Sequence, residues 1–209
     1  MQLRKVNKVH LALLAIFAGT FVWSAIHPRI FSDWIVQAIF ILLVAEAIIY
    51  YYKRFKFTTL TYVVITLWFV ILLIAAHDSW DKVWIFEWTK GAFGWKRNNF
   101  DRVAHFFQGV TFFLAFREII IRLSPLKKTW WASAFAAAIA LSFALIHELN
   151  EWIGTEYGGV DLIGSQGDQF DTQKDMFNAF CGVVFAYFFM KKYQNRQLEK
   201  LEKEEKHSS

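Results

Sequence analysis

A chain of 209 residues with 56% hydrophobic, 19% aromatic and 20% charged residues is too apolar for an ordinary soluble domain. Ten glycines and two prolines exclude a collagen-like or Pro/Gly-rich disordered chain, and one cysteine, Cys181, excludes an intramolecular disulfide framework or a multi-cysteine metal site. The net charge of +5 would suit a nucleic-acid partner, but the basic residues sort by position along the chain instead of forming a patch, so none is expected.

The apolar residues gather in six runs, each near the length of about 20 residues that a bilayer core requires. The first, 9–26, is stopped by His27-Pro28. Its length resembles a signal peptide, but no small-x-small site closes it and five more runs follow, so it reads as a retained helix. The others are 34–52, which carries Glu46, then 57–76, 101–121, 130–151 and 175–190. Glu46 is expensive in lipid and is expected to face the bundle. Ser133 and Ser142 read as helix-packing residues, and Arg117-Glu118 as an ion pair or a snorkelling pair. The expected fold is therefore all-α and polytopic: a six-helix transmembrane domain over residues 1–190, followed by a charged tail, 191–209.

Lys and Arg set the orientation. With the N-terminus inside, sixteen of the 23 basic residues fall on the cytoplasmic side: Arg4, Lys5, Lys8, Lys53, Arg54, Lys56, Arg117, Arg122, Lys127, Lys128 and six in the tail. Twelve of the 18 acidic residues fall on the outer side. Both termini are thus expected in the cytoplasm, with anionic lipid of the inner leaflet against the basic face.

Between the third and fourth runs, residues 77–100 are too polar to span. Trp80, Trp84 and Trp88 recur every four residues, one stripe of a helix. Tryptophan favours the headgroup zone, so an outer interfacial helix is expected here, an anchoring belt or a lid. His77, at the mouth of the third span, is placed to face the same space.

The residues suited to chemistry gather at three helix ends on that outer side. Asp101 and His105 are spaced i, i+4 at the start of the fourth span. His147, Glu148 and Glu151 close the fifth. Asp168, Asp171 and Asp175 lead into the sixth, with Gly164, Gln166 and Gly167 in the turn before them. So many carboxylates in one volume raise one another's proton affinity unless a cation joins them. Oxygen ligands with one or two imidazoles suit a divalent metal ion: Mg, Mn, Ca, Zn or Fe. Asp101 and Asp175 at helix N-termini are also favoured by the helix dipole, with or without a metal. The expected roles are Asp101, His105, Glu148, Asp171 and Asp175 as ligands, Glu151 or Asp168 as base, and His77, Gln108 and Gln166 as substrate contacts. The reaction expected of such a site is metal-assisted hydrolysis or group transfer on a lipid or lipid-linked envelope substrate. The rival is binding or transport of a cation or polar solute, with Glu46 continuing a path inward; a third reading is a structural polar network without catalysis.

These residues occur in longer strings: Asn98-Asn99-Phe100-Asp101-Arg102, His105-Phe106-Phe107-Gln108-Gly109, Arg117-Glu118, Glu148-Leu149, Glu151-Trp152, Gln166-Gly167-Asp168, Asp171-Thr172-Gln173 and Asp175-Met176. Together they resemble the YjdF-like family of bacterial inner-membrane proteins, from the second span to the sixth. Residues 78–84 depart from that family's Tyr- and Pro-containing pattern. The resemblance implies an inner-membrane location and a single polar site. The order Asp101/His105, then Glu148, then Asp175 with Asn178 and Gly182, is also distantly similar to VanZ-like proteins, which are tied to glycopeptide (teicoplanin) resistance.

Overall fold

In lipid every backbone N–H and C=O must be satisfied within its own segment, so apolar runs of this length fold as helices. The computed structural model describes residues 7–154, 156 and 169–206. In chain order it contains α1 (Lys8–Ser24), α2 (Phe31–Tyr51), α3 (Thr59–Asp78), α4 (Trp84–Phe93), α5 (Phe100–Leu123), α6 (Trp130–Ile153), α7 (Asp171–Phe185), a π-type turn (Ala186–Met190) and α8 (Lys191–Lys206). No strand occurs among the described residues. Three helices, α2, α3 and α6, are long and apolar enough to cross a membrane, and α1 is apolar but shorter. Charged residues set α5 and α7 apart: α5 carries Asp101, Arg102, Arg117, Glu118 and Arg122, and α7 opens on Asp171, Lys174 and Asp175.

α5 is the centre of the bundle, packed along α6 and α7 and also against α3, which in turn carries α1 and α2. Its first turns meet the end of α6 and the start of α7. Its last turns meet the start of α6, where Arg117 bonds Ser133, and the start of α8, where it bonds Gln194. α6 therefore runs antiparallel to α5, and the continuous rod of α7, the π turn and α8 runs back beside both.

Small residues allow this packing. A Cβ at Gly109 would collide with the backbone of Ala179, and one at Gly182 with the backbone of Phe106 and Val110. On α6 the buried residues Ala132, Ala136, Ala140 and Ala144 form an i, i+4 stripe whose next position is Glu148. On α7 Asp171, Asp175 and Ala179 continue to Gly182 and Val183. Without a hydrophobic drive between helices in lipid, such small-residue seams let backbones approach and van der Waals contact hold them. Each seam ends, at one end of the bundle, on a carboxylate.

Several expectations are corrected. Glu46 does not face the bundle; it lies on the exposed side of α2, whose buried residues are Ala38, Ile41 and Ala45. Trp80 does not share a helix with Trp84 and Trp88. Ser79 adopts a φ of +72° that ends α3, and the Lys82 N–H turns back to its carbonyl at 3.0 Å. Trp80 is thereby buried, whereas Trp84 and Trp88 stay exposed on α4. Arg117 and Glu118 do not pair with each other. The Glu118 carboxylate accepts from the Thr58 N–H (2.7 Å) and from the Thr58 and Thr61 hydroxyls (both 2.8 Å). Arg122 stands 3.4 Å from it. Arg117 donates to Ser133 (3.0 Å), Gln194 (2.7 Å) and Asn195 (2.8 Å). Successive residues on a helix point about 100° apart, and here they face different neighbours. Beyond residue 190, Gln194 and Leu198 are fully buried, and Gln194 donates to the Leu114 carbonyl at 2.7 Å.

Replacing Gly109 or Gly182 by Leu should lower stability by about 2–3 kcal/mol, because the seam has no free volume to accept a side chain. Gly19→Ala, which meets open space, should leave it unchanged. Thermal unfolding of the detergent-purified protein measures both; a melting temperature unmoved by Gly109→Leu would disprove the close approach.

Candidate metal centre

The seams bring one face of α5 against the end of α6 and the start of α7. α5 contributes Asp101, His105 and Gln108; α6 contributes His147, Glu148 and Glu151; α7 contributes Asp171 and Asp175. Asp101, His105, Glu148, Glu151, Asp171 and Asp175 are each no more than 4% exposed. His105 is central. Its Nε2 lies 3.1 Å from Glu148 Oε1 and 3.5 Å from Asp101 Oδ1. Its ring meets that of His147 edge-on at 5.1 Å, and His147 Nε2 lies 3.4 Å from Glu151 Oε1.

Two arginines reach the cluster. Arg97 Nη1 bonds Asp171 Oδ1, and its Nη2 lies 4.0 Å from Asp101 Oδ2; Arg102 stands 4.0 Å from Asp171. Asn98 positions Arg97 by closing the link between α4 and α5. Its amide donates to the Val83 carbonyl and to Glu87, both at 3.1 Å, and its side-chain oxygen accepts from the Phe100 N–H at 3.0 Å. Trp80, packed against Phe100, brings its ring to 6.5 Å from His147.

Arg97 does not satisfy the whole cluster. Asp101 Oδ1, His105 Nδ1, Gln108 Oε1, both Glu148 oxygens, Glu151 Oε1, Asp175 Oδ1 and Trp80 Nε1 are buried and make no hydrogen bond among the described residues. A buried polar atom left in that state costs about 1–3 kcal/mol, and native proteins hold few of them. Two ligand triads lie in the cluster: Asp101, His105 and Asp175, and His105, His147 and Glu151, the ligand atoms of each within 4.8 Å of one another. Donors around one small divalent ion are similarly spaced, and mixed imidazole and carboxylate favours Zn²⁺, Mn²⁺ or Fe²⁺ over Mg²⁺ or Ca²⁺.

The structure thus brings together Asp101, His105, Gln108, Glu148, Glu151, Asp171 and Asp175. His77 lies apart, its Nδ1 3.2 Å from the Ser24 carbonyl and its ring 4.5 Å from Trp23. Asn178 donates to the Lys174 carbonyl from an exposed position. Asp168 and Gln166 lie outside the described residues. Arg97 and Trp80 were not among the expected site residues, and His147 carried no expected role. His147 and Arg97 were legible as i, i+4 partners of Glu151 and Asp101; Trp80 carried no usable signal, because its spacing pointed to the wrong helix.

Arg97→Gln should destabilise the protein at neutral pH by about 1–3 kcal/mol, the loss of a partly exposed cation that balances ionised carboxylates. The gap to wild type should narrow as acidification protonates those carboxylates, so melting temperatures from pH 8 to pH 4 test it. A gap that widens on acidification would refute the arrangement.

Residues 9–196 match the family described as "Predicted membrane protein (DUF2238)". The chain is 29% identical over 193 residues to "Inner membrane protein YjdF" of Escherichia coli (strain K12), covering 91% of this chain and 90% of that one. No solved structure matches. With the matched region running from the first helix into the last, the chain belongs to the DUF2238 family of membrane proteins.

Proposed function

We propose that the chain crosses the membrane six times, through α1, α2, α3, α5, α6 and α7, and holds a divalent transition-metal ion near the outer face. In this reading residues 1–190 are the membrane domain, 191–209 are the tail, and both termini are cytoplasmic, as in an inner-membrane protein. α4 lies on the outer surface with Trp84 and Trp88 at the headgroups. At 24 residues α5 measures about 36 Å, enough to cross a core of about 30 Å.

One observation carries the metal: buried polar atoms of Asp101, His105, Gln108, Glu148, Glu151 and Asp175 make no hydrogen bond among the described residues. Asp101, His105 and Asp175 form the primary ligand set, with His147 and Glu151 on the adjoining side. Glu148, in contact with His105 Nε2, orients that imidazole, as carboxylates behind metal-bound histidines do. A metal there would polarise a substrate oxygen and acidify a bound water, with Glu151 as base. Asp171, held by Arg97, keeps the guanidinium at the rim, where it suits an anionic substrate group. The substrate class that fits a membrane-embedded site is a lipid or a lipid-linked envelope precursor; the distant VanZ-like order of Asp101, His105, Glu148 and Asp175 supports an envelope role. Transport of a cation is less well supported, because Glu46 lies on the exposed side of α2 and the seams of α5, α6 and α7 are filled by alanine and glycine.

Elemental analysis of protein purified without chelator should find about one divalent ion per chain. Asp101→Asn with His105→Gln should abolish it while Gly19→Ala retains it. Metal-free wild-type protein after incubation with Zn²⁺, Mn²⁺ and Fe²⁺ would end the metal reading. For the topology, a fluorescent protein fused after Ser209 should be bright and alkaline phosphatase fused after Gly94 should be active; the reverse pattern would overturn the orientation.

A further inference from the structure

Two cavities meet at the basic end of the bundle, at the opposite end of α3 from the carboxylate cluster. One, of about 540 Å³, lies between α1, α2 and α3 and is lined largely by apolar side chains, among them Leu14, Phe17, Ile48 and Phe69. The other, of about 390 Å³, lies between the start of α1, the link from α2 to α3, and α8; Lys56, Arg196, Gln197 and Lys200 line it. His10 borders both. It is 8% exposed and held on its two nitrogens, by the Tyr52 hydroxyl at 2.8 Å and the Thr59 hydroxyl at 3.0 Å. The partition between the apolar cavity and the polar one is therefore fixed by built contacts.

The charges of the polar cavity are not balanced from within. Lys56, Arg196 and Lys200 make no ion pair among the described residues, and Glu204 is the one acid lining the cavity. Neighbouring cations at the same end are occupied: Lys128 reaches Glu199 and Glu202, and Arg122 reaches Glu118. A basic, polar space joined edge to edge with an apolar groove matches one kind of molecule, an amphiphile with an anionic head. A free phosphate would use the first space and leave the second unexplained.

We propose that this end of the bundle binds one anionic glycerophospholipid, its phosphate among Lys56, Arg196 and Lys200 and an acyl chain in the groove between α1, α2 and α3. Arg and Lys near a membrane surface each add attraction for anionic headgroups, and the walled groove adds burial of the chain. The site is separate from the metal centre and does not depend on it.

Native mass spectrometry of the full chain in detergent tests this with added palmitoyl-oleoyl phosphatidylglycerol or phosphatidylcholine. Wild type should retain phosphatidylglycerol about tenfold better than phosphatidylcholine. Lys56→Gln/Arg196→Gln/Lys200→Gln should remove that preference. Arg54→Gln/Lys127→Gln/Lys192→Gln, which removes equal charge from the same end outside the cavity, should keep it. Leu14→Trp, which fills the groove from an exposed position, should reduce retention of both lipids. Equal retention of the two lipids by wild type overturns the proposal, as does equal loss in the second triple variant. Displacement of the lipid by millimolar inorganic phosphate, with Leu14→Trp silent, makes the site a free-phosphate site and overturns it too. If the first triple variant does not fold, Arg196→Gln, on the exposed side of α8, gives the same reading.

Discussion

The close approach of α5 and α7 at Gly109 and Gly182 is the contact on which the rest of this protein depends. Neither position has room for a Cβ, because the backbone of the facing helix occupies that space. With the axes held so near, Asp101 and His105 on one helix and Asp171 and Asp175 on the other share a volume that would otherwise hold two layers of side chains. α6 repeats the device in alanine, delivering Glu148 and Glu151 from the other flank. In water this concentration of acid would be relieved by solvation. For groups this buried the relief must come from Arg97 and Arg102, from protons or from a bound cation, which is why packing and chemistry cannot be separated here.

How much of this was readable beforehand depended on whether a residue acts through helix spacing or through its neighbours. The acids of the site lie i, i+3 apart on α6 and i, i+4 apart on α7, so their faces followed from periodicity alone. Arg117-Glu118 looked like a pair because adjacency in sequence was mistaken for adjacency in space; the two face different partners and are linked through Gln194 and Thr61. Trp80 was misassigned because its four-residue spacing to Trp84 spans the turn between α3 and α4, and α4 begins only at Trp84. Glu46 was expected inward on energetic grounds, yet it lies on the exposed side of α2, five residues before its last residue, Tyr51. The burial of Gln194 and Leu198 was not legible, since two such residues in a charged segment do not advertise a buried stripe.

Polar order therefore occurs at both ends of α5, about 24 Å apart from Asp101 to Arg117, with different logic. The network around Glu118 and Arg117 is saturated: each buried charge has hydrogen-bond partners of good geometry, supplied by threonine, serine, glutamine and asparagine. Such a network fixes register and needs nothing further. The cluster around His105 is the reverse, crowded with acceptors and short of donors. The contrast within one helix argues that its deficit is a property of that site and not of the bundle as a whole.

The π turn between α7 and α8 has a consequence for how a single rod serves both ends. From Ala186 to Gln194 is eight residues, which at about 100° each would overshoot two full turns by roughly 80°. Ala186, Gln194 and Leu198 are nevertheless all buried. The wider turn over Ala186–Met190 takes up the excess and resets the phase of everything after it. It works as a vernier: the acidic stripe of α7 keeps the angle set by Gly182, while α8 takes the different angle that lets Gln194 reach Arg117 and aims Arg196 and Lys200 toward α1.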